Sequence, residues 1–299
     1  MFSICIPVYN YDVRELVQSL HRQAMRSGLP FEILLMDDAS KEEYRTVNSA
    51  IDWPYLRYIQ LTGNAGRSKI RNRLAQAAKY TYLIFMDCDS AVSSETYIDN
   101  YIPYCKPNIV CYGGRLYEEK WPHDTKYLRW KYGVKRESIP AEEREKEPNL
   151  SFMTCNFLID KALLEKIPFD ETVQGYGHED TLFGIQLLYL GIRIQHIDNP
   201  LIHLGLEDAA VFIAKTENAV ANLRRIDAIL QEKCPEPVNH SLLIRTEQRL
   251  KKWGLLPLTA AIFTVFKPLL KRNLLSKKPS LFLFDLYKLG TLCRLSCVS

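Results

Sequence analysis

The sequence has no Cys-x-x-Cys pair, no internal repeat, no low-complexity segment and no strong charge bias. Each absence argues against a class of protein. Its eight cysteines, at positions 5, 88, 105, 111, 155, 234, 293 and 297, are scattered, several within apolar runs. That speaks against a disulfide framework or a zinc site and for reduced, buried thiols. A net charge of +4 is too small to argue for nucleic acid, although it suits contact with an anionic membrane surface. Met1 to Pro7 carry neither a basic segment nor a long apolar one. No signal peptide is therefore expected, and the protein is expected in the cytoplasm, peripheral at the inner face of the membrane. With 299 residues and ordinary composition, the chain can build one large α/β domain, with or without an appendage.

What is present is a β-α alternation. Apolar runs at residues 2–9, 31–36, 56–61 and 82–86 read as strands, and stretches 12–26, 41–51 and 68–80 between them as helices. This pattern predicts a doubly wound, parallel sheet, in which ligands bind beyond the carboxyl ends of the strands. Further strands are expected at 108–112, 152–159 and 193–197, the last leading through Asn199-Pro200 to a strand-end loop at Ile202-His203, and helices at 161–166, 181–190 and 208–233. Residues 115–149 are heavily charged and aromatic; they read either as a structureless lid or acceptor loop, or as a solvated helical excursion. Pro235 to Pro237 marks a boundary. Beyond it, the apolar run 254–266 is flanked by Lys251, Lys252, Lys267, Lys271 and Arg272. It is too short for a simple bilayer span and contains Pro257, so it reads as an interfacial helix or as one packed on the domain or a partner.

Asp87-Cys88-Asp89 closes the run Tyr82 to Met86. Two carboxylates at a strand's C-terminal edge can hold a hard divalent cation, which prefers oxygen ligands and bridges to substrate phosphates. A nucleotide or nucleotide-sugar substrate is then expected; the alternative is a helix cap or turn. Asp37 and Asp38 end the second strand, where they serve either a nucleotide or a helix N-terminus. Arg67 and Arg71 lie one helical turn apart near a helix start, suited to a base or diphosphate, or else to surface ion pairs.

In order, Pro7-Val8-Tyr9-Asn10, Asp37-Asp38-Ala39-Ser40, Asn64-Ala65-Gly66-Arg67 with Arg71-Asn72, Asp87-Cys88-Asp89 and Gly175-Tyr176-Gly177-His178-Glu179-Asp180 resemble the signature of family 2 glycosyltransferases. The resemblance covers residues 1–230. The last motif is also similar to the acceptor-side Gly-Trp-Gly-Gly-Glu-Asp of β-1,4-galactosyltransferases, with His178 in place of a glycine. It implies a GT-A fold, a Rossmann-like, mostly parallel sheet flanked by helices, over residues 1–235, with a helical C-terminal extension at 236–299.

The resemblance further implies an inverting, metal-dependent transfer of a sugar from a nucleotide diphosphate, UDP, to a saccharide or lipid-linked saccharide in surface polysaccharide or lipopolysaccharide synthesis. Donor contacts fall to Pro7, Val8, Tyr9, Asn10, Asp37, Asp38, Asn64, Gly66, Arg67, Arg71, Asp87 and Cys88. Asp89, with Asp87 and His203, would hold Mn2+ or Mg2+, Asp180 would be the general base, and Glu179, Tyr176 and Gly177 would meet the acceptor. A sugar-nucleotidyltransferase is the other enzyme class to weigh, but no glycine-rich basic loop follows the first strand. A degenerate carbohydrate-binding subunit would have no chemical need for Asp87, Asp89, Glu179, Asp180 and His203 together.

Overall fold

The computed structural model describes residues 1–120, 122–173, 175–233 and 241–298. Among the described residues ten strands form: β1 (Phe2–Val8), β2 (Phe31–Asp37), β3 (Leu56–Gln60), β4 (Tyr82–Met86), β5 (Ser90–Val92), β6 (Val110–Tyr112), β7 (Arg115–Tyr117), β8 (Asn156–Asp160), β9 (Gln195–His196) and β10 (Leu201–His203). Seven make one sheet in the order β3-β2-β1-β4-β8-β6-β9, and β5-β10-β7 make a small second sheet. In the large sheet only β8 runs against its neighbours.

The near-continuous apolar character of β1, β2 and β4 follows from burial on both faces. Side chains alternate along β1, so Ile4, Ile6 and Val8 join Leu16, Val17 and Leu20 of helix Arg14–Arg26 in one layer. Cys5 points the other way, into a layer with Leu34, Phe85 and Ile70 and Leu74 of helix Arg67–Ala77. β1, β2 and β4 run in parallel register, Phe2 lying beside Phe31 and Tyr82, so they end at one edge. Asp37, Asp38, Asp87 and Asp89 therefore collect there.

The chain divides into two compact units. The first comprises Met1–Glu118, Glu137–Thr172 and Glu179–Gly205 and contains both sheets. The second comprises Glu119–Arg136, Val173–His178 and Leu206–Ser299. Its helices Ala209–Lys233, Leu256–Leu274 and Leu281–Val298 meet around Phe212, Ile213, Phe263, Leu274, Phe284 and Tyr287, joined by Leu128. The boundary expected at Pro235 to Pro237, and Cys234, lie outside the described residues. The described cysteines are all free thiols.

Three local expectations need correction. Residues 115–149 are not a structureless loop: they contain β7, helical turns from Asp124 to Glu137 and helix Ala141–Arg144, with Tyr127, Leu128 and Arg129 buried. The strand expected from Phe152 starts only at Asn156, and the helix expected from residue 181 starts at Glu179.

Candidate active site

Around the strand ends, local hydrogen bonds set the loops. Asp38 donates its N–H to Val8 O and accepts from Ala65 N–H (2.5 Å) and Gly66 N–H (3.2 Å), folding the Asn64–Gly66 turn onto β2. Both carboxylate oxygens expected to face a base are thus engaged by backbone. Asn10, at φ +50°, takes Ser40 Oγ on its N–H and accepts Lys41 N–H, tying the end of β1 to the loop after β2. Asp37 is fully buried and caps Ser40 N–H at 2.8 Å. Tyr9 is exposed beside this loop, whereas Val8 and Cys88 pack on the core. Pro7 lies within β1.

Buried Arg71 joins two parts of the sequence. Its guanidinium donates to Asp87 Oδ1 at 3.0 Å and lies 3.8 Å from Glu179 Oε1, which Arg67 approaches at 3.4 Å. Glu179 is buried. Burial opposes its ionisation, but Arg67 and Arg71 overcome that and hold its carboxyl below the usual range. Asp180 has the opposite environment. Burial and the negative charge of Glu179 raise its carboxyl to about 7, against the opposing hydrogen bond from Thr181 N–H and the positive charges of Arg67 and Arg71. Two adjacent carboxylates at one helix start are therefore pushed apart in acidity, one fixed as an anion and one poised to exchange a proton near neutrality.

Arg115 was not among the residues singled out in the sequence. From β7 it donates to Asp87 Oδ2 at 2.9 Å and lies 3.5 Å from Glu137, which also accepts from Tyr117. Asp87 is thus clamped by two guanidiniums, one on each oxygen. The available signal was Gly113-Gly114 at a strand end; Gly114 sits at φ +96° and turns the chain into β7.

The small sheet assembles the other pair. β10 runs antiparallel to β5 with His203 opposite Ser90, and Leu204 N–H donates to Asp89 O at 2.8 Å. His203 Nδ1 consequently stands 3.4 Å from Asp89 Oδ1. It is buried and finds no hydrogen-bond partner among the described residues. Burial disfavours the Asp89 anion, but His203, Arg115 and Arg67 outweigh it and lower its carboxyl to about 2. An anionic oxygen and an imidazole nitrogen at this separation fit a shared divalent cation, since two donors each about 2.1 Å from one ion lie roughly 3.0–3.4 Å apart. Asp87 is not brought into the pair, and among the described residues no group of three or more His, Cys, Asp or Glu is placed to hold a metal. A two-donor site suits Mg2+ or Mn2+, which take their remaining ligands from phosphate and water. Gly205 has to be glycine here, because a Cβ would overlap the Asp89 carboxylate.

Tyr176 and Gly177 belong to the second unit. Within it the Lys215 ammonium lies 5.2 Å from the Tyr176 ring centroid, Asn222 donates to Tyr176 O, and Gly177 at φ +90° faces Ala219. His178 has φ +70°, a left-handed conformation that favours glycine.

The seven-stranded, mostly parallel sheet with carboxylates at its edge, flanked by helices, is a GT-A architecture. The model of the family "Glycosyl transferase family 2" matches residues 3–168, more than half the chain, and the protein belongs to that family. Membership meets the expectation of a glycosyltransferase and sets aside the nucleotidyltransferase alternative. A chondroitin synthase of Pasteurella multocida is 24% identical, over 67% of this chain and 24% of its own length. The chain spans 24–31% of the length of the curated relatives it matches. Among solved structures, the mannosyltransferase PcManGT of Pyrobaculum calidifontis, in complex with GDP-Man and Mn2+, superposes with a TM-score of 0.62 at 15% identity, covering 100% of this chain and 88% of that one. Glucosyl-3-phosphoglycerate synthase of Mycobacterium tuberculosis, with Mn2+ and UDP, gives 0.52 at 15% identity, covering 76% and 79%. At that identity the likeness establishes the fold, and the ligands are those proteins' own.

Proposed function

We propose that the protein is an inverting, metal-dependent glycosyltransferase that moves a sugar from a UDP-linked donor to a saccharide or lipid-linked saccharide during surface polysaccharide or lipopolysaccharide assembly. The observation that carries this reading is Arg71, which touches Asp87 of the strand-end aspartate motif and Glu179 of the Gly-x-Gly-x-Glu-Asp motif. One guanidinium separates a donor-side carboxylate from an acceptor-side one, although the two stand 92 positions apart in the chain.

In this reading Asp89 and His203 hold the cation. When bound, it would neutralise charge developing on the leaving diphosphate as a Lewis acid. Arg71 and Arg115 fix the Asp87 carboxylate so that it can accept hydrogen bonds from donor hydroxyls. Glu179, kept anionic by Arg67 and Arg71, accepts a hydrogen bond from the acceptor sugar. Asp180 removes the proton of the attacking hydroxyl: the acceptor oxygen bonds to the anomeric carbon, the bond from that carbon to the phosphate oxygen breaks, and the carboxylate keeps the proton. Attack opposite the leaving group inverts the anomeric centre. Residues 175–180 act as the acceptor motif of β-1,4-galactosyltransferases does, and Tyr176 offers a ring for sugar stacking.

The chondroitin synthase relative supports a saccharide acceptor, and the UDP of the mycobacterial neighbour supports a uridine donor. Because the archaeal neighbour carries GDP-Man, the base must be read directly. The test is a transfer screen of purified protein with UDP-, GDP- and dTDP-sugars and saccharide acceptors, with product configuration read by NMR. Transfer from a UDP-sugar with inversion is expected; retention, or strict preference for a GDP- or dTDP-sugar, would reject the corresponding part.

A further inference from the structure

Helix Leu256–Leu274 has two apolar faces. Leu256, Ala260, Phe263 and Leu274 are buried. At 100° per residue, Leu255, Leu258, Ile262, Val265, Phe266 and Leu269 fall within an arc of about 100° elsewhere on the helix. These six are 40–74% exposed, and no charged side chain interrupts them. Single exposed apolar residues need no explanation, but a continuous stripe over four turns marks an interaction surface.

Charge identifies the partner. Residues 241–280 contain nine Lys or Arg and one acidic residue, Glu247, a net +8 in a chain whose total is +4. The rest of the chain is therefore acidic overall, and the excess positive charge is concentrated around the stripe. Lys251 and Lys252 precede it, Lys271, Arg272 and Lys278 follow it, and all five are exposed. Trp253, 67% exposed, sits at the turn into the helix, the kind of residue that favours a headgroup boundary. Among the described residues no single helix is long and apolar enough to cross a membrane.

We propose that the exposed stripe of helix Leu256–Leu274 docks on an anionic lipid bilayer, lying in the plane of the surface with its apolar side chains among the acyl chains and the flanking Lys and Arg on the headgroups. The inference is independent of the transferase reading. A binding groove on another protein would have to match a stripe four turns long and supply acidic groups at both its ends, whereas an anionic bilayer presents both properties everywhere.

The test is flotation of the full chain with vesicles of phosphatidylcholine alone and of a phosphatidylcholine–phosphatidylglycerol mixture. The wild type should float with the anionic vesicles and lose binding as salt rises. The triple variant Leu258→Glu, Val265→Glu, Leu269→Glu should lose at least about tenfold in apparent affinity, because three side chains no longer transfer from water. Wild-type protein that fails to float, or a triple variant that floats equally well, overturns the proposal. So does light scattering that finds a wild-type dimer made monomeric by the triple variant with vesicle binding unchanged, which would assign the stripe to a second copy. Should the triple variant fail to fold, a polarity-sensitive dye on Ile262→Cys decides: a blue shift on anionic vesicles supports docking, and no shift overturns it.

Discussion

Replacing Asp180 by Asn should make the protein more stable while disabling transfer, and the gain should depend on pH. The carboxyl is raised from an ordinary 3.8 to about 7 by burial and by Glu179. Below pH 4 it is protonated in both folded and unfolded chains and contributes nothing. Between pH 4 and 7 the unfolded chain releases the proton while the folded one retains it. Stability therefore falls as pH rises, by about 1.4 kcal/mol per unit. Above pH 7 the penalty is constant, at most about 4 kcal/mol for a displacement of roughly three units. Asn removes the ionisation and keeps an oxygen for Thr181 N–H, the hydrogen bond that Asp180 now accepts at 2.7 Å. Urea unfolding at pH 5 and pH 8, in EDTA so that cation binding does not enter, measures the difference. The variant should gain up to about 4 kcal/mol at pH 8 and about a third of that at pH 5. A gain that is equal at the two pH values, or absent at pH 8, would refute the environment assigned to Asp180.

The same carboxyl predicts that kcat/KM falls about tenfold per unit as pH drops below 7; a profile flat down to pH 5.5 would remove Asp180 as the base. Arg71→Met leaves the buried Glu179 charge facing only half-exposed Arg67, and part-buried Asp87 facing Arg115, and should cost about 3 kcal/mol. Half-exposed Arg67→Met should cost less than about 1 kcal/mol, and equal losses in denaturant would contradict the bridging role of Arg71. Gly205→Ala removes neither ligand side chain of the cation pair, yet its Cβ overlaps and displaces the Asp89 carboxylate. Mn2+ affinity by calorimetry should fall at least about tenfold, and unchanged affinity would detach Asp89 from the metal.

The large sheet was legible because β1, β2 and β4 are uninterrupted apolar runs ending at polar turns, a local signal that burial on both faces imposes. The Asp89–His203 pairing followed from motif order, and the structure explains it through the register of β10 on β5. Arg115 and Glu137 were not legible. β7 is three residues long, too short to display a period, and it reaches Asp87 only because it pairs with β10, which comes 84 residues later in the chain. The local role of Asp38 was hidden for a related reason. A strand-end aspartate looks the same in sequence whether or not it also accepts from neighbouring backbone, as here from Ala65 and Gly66 N–H. The two apolar faces of helix Leu256–Leu274 were also hidden, since the sequence shows one apolar run and only packing decides which side is covered.

The division of labour between Asp89 and Asp180 is tested most directly by measuring Mn2+-dependent donor binding and single-turnover transfer side by side in Asp89→Asn and Asp180→Asn. Asp180→Asn should bind donor like the wild type and transfer about 10²–10⁴-fold more slowly, whereas Asp89→Asn should lose both. Near-wild-type transfer by Asp180→Asn, or donor binding by Asp89→Asn that still responds fully to Mn2+, would contradict the account.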